Sequence, residues 1–447
     1  MSASAPESST GEFLADLVQR SLEIARRQGA TSAEASASNG HGLAMTVRLG
    51  EVESVEHHRD KGLGITVFVG QSKGSAATSD FSEQALADTV RAAITIARHT
   101  TADPYAGLTD PELLARDFPD LDLYHPWEID ADRAAELARR CEAAARGHDP
   151  RICNSEGASV GTGEGISVYG NTLGFLGTSR GSRHSISCSV LAGNQDGMQR
   201  DYWFDVARSA SDLSSPEQIG ITSAERTVRR LGSRKISTCV APVLFENQAA
   251  SSLLGHLAQA ISGGSLYRKT SFLLDSLGKQ LFPQTVRIYE EPLRLRGLGS
   301  CSFDGDGVAT RNRDIVAGGV LQGYILDSYS ARKLGMRSTG NAGGAHNLTL
   351  APGTLDLDAM LRNMGRGLLV TELIGFGVNM VTGDYSRGAA GFWVENGQIQ
   401  YPVEEITIAG HLQDVFLGIA EVGSDLLVHG NSGSPSILIE GMTIAGN

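Results

Sequence analysis

Apolar residues alternate with polar ones along several segments of this chain, and elsewhere they recur every three or four residues. Alternation is typical of a strand with one buried face, and the wider spacing is typical of an amphipathic helix. A helix is predicted at residues 11–28, after a polar tail at residues 1–10 that we expect to be disordered. The elements predicted next are the strands "LAMTVRLG", "EVESVEHH" and "GLGITVFVG", then the helix "SEQALADTVRAAITIARHT".

A second series of elements follows in the same order. Asp130 begins the predicted helix "ADRAAELARRCEAAARG". The series continues with the strands "EGISVYGNTLGFLGTSRG", "SISCSVLAGNQDG" and "MQRDYWFDVARSASDL", then the helix "SPEQIGITSAERTVRRLG". We therefore predict two similar units of strand meander and helix in one N-terminal α/β domain, residues 11–235. Their sequence identity is too low to indicate duplication.

The remaining chain predicts a mainly-β C-terminal domain, residues 236–447. Its boundary lies near residues 232–240, where polar "GSRKISTC" leads into the buried-looking strand "VAPVLF". The 54 glycines against 13 prolines favour tight turns and close backbone approaches. Asn396-Gly397, between two apolar-patterned arms, predicts a type I′ hairpin. The fold class predicted for the whole chain is α+β.

Charge and cysteine content exclude several classes of protein. The net charge is −13, with no concentrated stripe of Lys and Arg, which disfavours direct nucleic-acid binding. Five cysteines without a C-x-x-C pair disfavour a disulfide framework or a zinc ribbon. The N-terminus lacks the features of a signal peptide, and no apolar run approaches the ~20 residues that span a bilayer. We expect a cytoplasmic protein without a membrane segment.

Three short motifs suggest chemistry that their surroundings do not support. "GTSRG" around Ser179 lacks the following helix of a nucleophile elbow, so we interpret it as a hairpin turn. "GGSLYRKTS" lacks the glycine of a phosphate loop, which favours a helix-exit loop with solvated Arg268 and Lys269. Asp304 and Asp306 do not have calcium-loop spacing and are interpreted as turn residues that accept backbone N–H groups.

The histidines show no metal-binding spacing. No pair fits His-Glu-x-x-His, and no predicted helix places two histidines four residues apart. His256 lies alone in the middle of the predicted helix "NQAASSLLGHLAQA". Zinc needs three or four converging protein ligands, so His256 alone is interpreted as a hydrogen-bonded or interface residue.

Long segments of the chain are far more specific than these short motifs. They include "VLFENQAASSLLGHLAQAISGGSLYRKTSFL", "GVNMVTGDYSRGAAGFWVENGQI" and "GSPSILIEGMTIAG", together with the N-terminal "GLGITVFVGQSKGSAATSDFS". Over nearly its whole length the chain resembles the PmbA/TldE branch of the TldD/PmbA family. The resemblance implies an α/β N-terminal domain and a mainly-β C-terminal domain like an incomplete barrel.

The resemblance also implies a peptidase of two subunits. The TldD-type subunit carries a His-Glu-x-x-x-His helix and a cysteine ligand, and the TldE-type subunit pairs with it around a cavity for extended peptides. Aligned with that helix, Gly255 and Ala260 stand at the two histidines and His256 stands at the glutamate. The cysteine has no counterpart, because Cys301, the last cysteine, lies far upstream of "VHGNSGSPS". The resemblance thus implies no metal on this chain and zinc on the TldD-type partner.

Glycine-rich segments of the C-terminal half suggest where a peptide pairs with the chain. "TELIGFGVNMVTG" and "STGNAGG" leave backbone accessible to an extended peptide, or else only turn the sheet. The residues that we consider candidates for substrate or interface contact are Glu246, Arg268, Lys269, Asp304, Asp306, Gly343, His346, Gly377 and Asn379.

Three functions stay open at this stage. The first is a non-metal subunit of a cytoplasmic metallopeptidase, which shapes the cavity for peptides and unfolded segments while a TldD-type partner supplies the metal. The second is a stand-alone peptide-binding protein without catalysis, possible as a homodimer. The third is a regulator like the gyrase modulators after which the family was once described.

Overall fold

Residues 7–194 and 197–446 are described by the computed structural model. The first half of the chain forms one antiparallel sheet of six strands in the order β3-β2-β1-β4-β5-β6. Its elements are α1 (Glu7–Arg27), β1 (Ser32–Arg48), β2 (Glu51–Val69), β3 (Ser72–Thr78), α2 (Glu83–His99), α3 (Ala131–His148), β4 (Ile152–Asn171), β5 (Leu176–Asn194), β6 (Gly197–Ala207) and α4 (Pro216–Val228), with short 3₁₀ helices at Pro111–Leu113 and Ala210–Asp212. Within this domain, α1 to α2 and α3 to α4 each comprise a helix, three strands and a second helix, which confirms the prediction of two similar units.

Two boundaries predicted from sequence are wrong. Helix α1 begins at Glu7, so residues 7–10 are helical, while residues 1–6 of the predicted tail lie outside the described residues. Leu14, Leu17 and Val18 bury one face of this helix, and such packing stabilises the polar turn before them. "GTSRG" is no hairpin turn: residues 177–181 lie inside β5, and the turn comes before Leu176.

The sheet buries only one of its two faces. Ala33, Ala35 and Ala37 of β1 lie in a core with α1 and α2. Further along the same strand and on the same face, Leu43 and Met45 lie in a core with α3 and α4. The alternate residues of β1 face away from the helices, because side chains along a strand point to opposite faces. Small polar residues therefore form the open face of the sheet.

The C-terminal half contains two further six-stranded sheets, ordered β14-β13-β12-β7-β18-β15 and β10-β9-β8-β11-β17-β16. Its elements are β7 (Cys239–Phe245), α5 (Asn247–Ala260), α6 (Gly263–Tyr267), β8 (Ile288–Glu290), β9 (Arg313–Ala317), β10 (Val320–Leu321), α7 (Ser328–Lys333), β11 (Leu348–Leu350), α8 (Leu357–Met364), β12 (Gly367–Ile374), β13 (Asp384–Glu395), β14 (Gln398–His411), α9 (Leu412–Leu417), β15 (Ile419–Val422), β16 (Leu427–His429), β17 (Ser432–Ser434) and β18 (Ile437–Ala445). Additional pairing of β14 with β18 closes the first sheet into a barrel. The predicted α+β class with a barrel-like second domain is confirmed.

Local turn chemistry and core packing complete the C-terminal half. Asn396 and Gly397 have φ of 52° and 71°, the left-handed values that a type I′ turn requires, so the predicted hairpin is confirmed. Helix α5 packs against strands of both sheets. Its residues Leu253, Leu254 and Leu257 are buried in the largest core cluster.

No helix in the described part of the chain is long and apolar enough to cross a membrane.

We expect Gly74→Ala to destabilise the N-terminal domain by about 3 kcal/mol, the cost of overpacking a close contact. A Cβ at Gly74 would lie 2.1 Å from the carbonyl oxygen of Ala93 on α2, so helix and strand must separate. Gly62→Ala is the control, because nothing lies within 4 Å of a Cβ there. Urea denaturation measures both variants, and equal effects would contradict the close-packing argument.

Candidate functional site

Helix α5, the counterpart of the metal-bearing helix in the resemblance, begins at a buried ionic cluster. Glu246 precedes the helix, and its carboxylate accepts hydrogen bonds from Arg226 and Arg229 at 3.2 Å each. Arg226 also lies 3.5 Å from Asp201 on β6. Glu246, a candidate for substrate or interface contact, thus lies in ion pairs that join the C-terminal half to α4 and the residues after it. The side chain of Glu246 is 12% exposed, so little of it is open to another molecule.

The three positions compared with the metal helix lie on different sides of α5. Gly255 is exposed, and a Cβ there would meet nothing within 4 Å. Ala260 is fully buried in the core, with 0% exposure. Residues five apart in a helix differ by about 140° around its axis, which explains why the two positions diverge. Neither residue has a side-chain donor atom for a metal.

His256 is the only one of the three with a ligand atom, and its surroundings disfavour a cation. Its ring packs edge-on against Tyr385, with 6.0 Å between ring centroids. Its Nε2 and the Tyr385 hydroxyl have no hydrogen-bond partner among the described residues. Burial, and then the positive charge of Arg387, lower the pKa of His256 to about 4. The residues of α5 therefore do not fit a zinc ion.

Within residues 7–194 and 197–446, no three His, Cys, Asp or Glu side chains are arranged to hold a metal ion.

Asp304 and Asp306 organise backbone where the C-terminal half faces the N-terminal sheet. The Asp304 carboxylate accepts hydrogen bonds from the backbone N–H of Asp306, Val308 and Ala342 at 2.8–2.9 Å. Asp306 accepts one from the backbone N–H of Ser328 at 2.9 Å. Burial raises the pKa of Asp304 to about 6. Asp304 accepts backbone N–H groups of its own turn, as predicted, whereas Asp306 accepts the N–H at the start of α7, 22 residues further along.

Glu290 was not singled out from the sequence, yet it orders the loop that holds His346. Its carboxylate accepts hydrogen bonds from Asn341 Nδ2 at 2.6 Å and from the backbone N–H of His346 at 2.7 Å, and Arg313 Nε donates to it at 3.0 Å. The sequence signal that could have identified Glu290 is its position directly after the apolar-patterned "VRIY". A glutamate that continues a buried strand needs hydrogen-bond partners for its carboxylate. Gly343 lies in the same loop with φ of +115°.

His346 itself contacts Cys301. The Cys301 sulfur lies 3.3 Å from His346 Nδ1, and the Gly340 carbonyl oxygen lies 3.1 Å from Nε2. With Nε2 as the donor to that carbonyl, Nδ1 accepts the thiol proton. Burial raises the pKa of Cys301 to about 12, so the thiol stays protonated at neutral pH. With its thiol protonated, Cys301 makes a hydrogen bond to His346 and is not an activated nucleophile.

The remaining candidates lie in exposed loops. A Cβ at Gly377 would lie 1.7 Å from the Ser386 carbonyl oxygen, so glycine is required there by the hairpin itself. Asn379 Oδ1 accepts a hydrogen bond from the backbone N–H of Val381 within the same connection. Arg268 and Lys269 follow α6 as an exposed helix exit, as predicted. The close approach of Ser386 is therefore sufficient to explain why residue 377 is a glycine, and no bound peptide is needed for that explanation.

A concave surface lies between the open face of the N-terminal sheet and residues 300–305. Two adjoining cavities, of about 820 and 790 Å³, occupy this space and share Ser167 and Ser179. Asp304 lines the second cavity, and Cys301 lines the first. Volumes of this size are typical of ligand sites, which often lie between domains.

Comparison with protein families identifies the family to which this chain belongs. Three models of the PmbA/TldA metallopeptidase match in order: domain 1 at residues 33–97, the central domain at 124–231 and the C-terminal domain at 238–446. The chain belongs to the PmbA/TldD metallopeptidase family. Peptide-bond hydrolysis is the activity for which this family is named.

Individual members of the PmbA/TldD family support the same assignment. Metalloprotease PmbA of Escherichia coli O157:H7 is 51% identical over 97% of this chain and 96% of its own length. The Metalloprotease PmbA homolog of Haemophilus influenzae is 50% identical over the same shares. A Metalloprotease TldD homolog of Buchnera aphidicola is 23% identical over 88% of both chains.

Solved structures show the PmbA/TldD fold. A putative modulator of DNA gyrase from Bacteroides thetaiotaomicron superposes with a TM-score of 0.92 at 27% identity, covering 97% of this chain and 98% of that one. TldE from Thermococcus kodakarensis gives a TM-score of 0.84 at 19% identity, covering 96% and 100%, and shows the fold alone.

The environment of His256 predicts a pH dependence. The pKa of an unfolded histidine is about 6.5, so below that pH the unfolded state binds a proton that folded His256 binds only near pH 4. Its contribution to stability is therefore lost as the pH falls from 6.5 towards 4, by at most about 2 kcal/mol at pH 5.

Two measurements check this prediction. An NMR titration of the imidazole should give a midpoint near 4. The unfolding free energy of His256→Asn should fall less than that of the unaltered chain between pH 6.5 and pH 5. A midpoint near 6.5 would contradict the burial of this ring.

Proposed function

We propose that this chain is the non-metal subunit of a two-subunit peptidase that cleaves peptides and unfolded segments. Its partner is a metal-bearing TldD-type member of the same family, which carries zinc and the water-activating chemistry. This chain supplies walls of the peptide cavity. The complex works in the cytoplasm, without direct contact to nucleic acid or membrane.

The observation that carries this proposal is the state of helix α5. The chain belongs to a metallopeptidase family, yet Gly255 and Ala260 offer no ligand atoms. A catalytic zinc site keeps three protein ligands and one open position, and without them no metal lowers the pKa of a water molecule. A member of such a family that lacks these ligands needs a second chain to supply them.

The cavity supports a role in holding substrate. Its two parts are lined by the N-terminal sheet, by residues 118–124 and by the segment at residues 300–305, all of this chain. The cavity also favours the second candidate function, a stand-alone peptide-binding protein or homodimer, because it does not depend on a partner.

Four samples separate these candidates. This chain, its TldD-type partner from the same genome, their mixture, and the mixture with a chelator are incubated with one flexible peptide. We expect cleavage in the mixture, none by this chain alone, and loss with the chelator. Metal analysis of each chain should find zinc on the partner. Cleavage by this chain alone would overturn the subunit proposal, and failure of the chains to associate would favour the stand-alone function.

A repaired helix should stay inactive. The variant Gly255→His, His256→Glu, Ala260→His restores the three residue types but forces an imidazole into the fully buried site of Ala260. We expect it to lose about 1–3 kcal/mol of stability through overpacking and to bind no stoichiometric zinc. Gly255→His alone is the control, because its site is open. Stoichiometric zinc with peptide cleavage by the repaired chain would contradict this reading of α5.

A further inference from the structure

Three serines form a row across the middle of the open sheet face. Ser38 of β1 lies opposite Ser167 of β4, and Ser167 lies opposite Ser179 of β5. All three line the larger cavity, and all three are exposed. None of their hydroxyls hydrogen-bonds to another described residue, so each is available to a ligand as donor and acceptor.

Two glycines of β2 lie beside this row, and no close contact among the described residues requires a glycine at either position. Gly62 of β2 lies opposite Ser38, and Gly64 lies opposite Ser36. A Cβ at Gly62 would meet nothing within 4 Å, and one at Gly64 would meet only the Ser36 hydroxyl at 3.7 Å. Glycine weakens a strand, and its presence in one often marks a close approach of another backbone. No described part of this chain makes that approach.

The residues around this floor are predominantly acidic. Glu34, Asp60, Asp120, Asp122 and Asp304 line the two cavities, against Arg180 and Arg208. Asp60 forms no ion pair with a described residue. The Arg208 guanidinium donates to the carbonyl oxygens of Ser182 and Leu298, and Arg180 stacks on the Tyr124 ring at 3.3 Å. Asp122 is paired with Arg296, and Asp304 and Glu34 accept hydrogen bonds, so Asp60 and Asp120 are the lining carboxylates without a cationic partner among the described residues, and they favour a cationic ligand.

The dimensions suit a short extended chain. From Asp60 on β2 to Gly181 on β5 the larger cavity crosses three strand spacings, or about 14 Å. At about 3.3 Å per residue, four residues of extended peptide span this distance. A floor of serine and glycine lets a peptide backbone lie close, and the hydroxyls bond to its N–H and C=O groups whatever its side chains are.

We propose that Ser38, Ser167 and Ser179 form the floor of a binding site for extended peptide segments that carry lysine or arginine. The site lies on the N-terminal sheet and holds substrate away from α5. The proposal rests on the function proposed above for the peptide as substrate, but it concerns binding by this chain itself. Carboxylates at the rim, Asp60 and Asp120 foremost, select the positive charge.

Direct binding tests the proposal without catalysis. The full-length chain, alone and with chelator present, is titrated against a fluorescent ten-residue flexible peptide containing two lysines. Matched peptides carry glutamine or glutamate in place of lysine. We expect saturable binding, tightest for the lysine peptide and weakest for the glutamate peptide, with the difference shrinking at high salt. No binding, or equal binding of all three peptides, would overturn the proposal.

Matched variants locate the site. Ser167→Phe fills the floor and should weaken binding at least tenfold. Ser54→Phe is the control, because Ser54 also lies on a strand of this sheet, has no hydrogen-bond partner among described residues and lies outside both cavities. Thermal melting checks that both variants fold. Should Ser167→Phe not fold, the variant Ser38→Ala, Ser167→Ala, Ser179→Ala replaces it, with an expected loss of threefold or more. Equal weakening by the control would overturn the assignment.

A variant without two rim carboxylates separates the selectivity for positive charge from peptide binding by the serine floor. Asp60→Asn with Asp120→Asn should reduce affinity for the lysine peptide about threefold to tenfold and leave the glutamine peptide unchanged. Equal loss for both peptides would contradict the role of the rim. Intact binding without cleavage by the mixed subunits would refute only the two-subunit function. Cleavage by the mixture without binding to this chain would refute only this inference.

Discussion

The N-terminal sheet buries one face only, and much of the structure depends on that asymmetry. Two pairs of helices cover the apolar side, and their cores are separate clusters around the two ends of β1 and β4. The other side has no such layer among the described residues, so it stays polar and faces the C-terminal half across the two cavities. Since a sheet face of serine and glycine gains little from burial, the space does not collapse.

Buried ion pairs join the two halves of the molecule. Arg226 in α4 and Arg230 just after this helix both contact Asp201 on β6. The same arginines reach Glu246 before α5 and Glu372 on β12. A buried ion pair that loses one member leaves an uncompensated charge, which costs about 3–5 kcal/mol. The orientation of α5 relative to the sheet is therefore tied to residues that take no part in chemistry.

Helix α5 has a well-packed core face, and two of the three positions compared with the metal helix, Gly255 and Ala260, offer no ligand atom. The buried residues Leu253, Leu254 and Leu257 pack it against both C-terminal sheets. Gly255 has open space around it, Ala260 lies in the core, and burial lowers the pKa of His256 to about 4.

The sequence by itself determined the periodic elements, the paired strand-and-helix units and the type I′ hairpin at Asn396-Gly397, because these depend on residues close together along the chain. The absence of ligand atoms at Gly255 and Ala260 is also a property of the sequence alone. One predicted strand begins at Gly62 and another ends at Gly181, yet β2 and β5 run through these glycines. Whether a glycine ends a strand or lies within it depends on the strands and loops that pack beside it. Those neighbours are distant in sequence, so the local pattern does not reveal them.

Only the tertiary structure brought together the serine row, the partners of Glu290 and the ion pairs of Glu246. Ser38 and Ser167 are separated by most of the N-terminal domain, and no local signal distinguishes them from other exposed serines. Their alignment comes from the pairing of β1 with β4 and β5, where strand register places residues opposite each other. Register is fixed by the burial of alternate residues under four helices, a constraint that acts across the whole sheet at once.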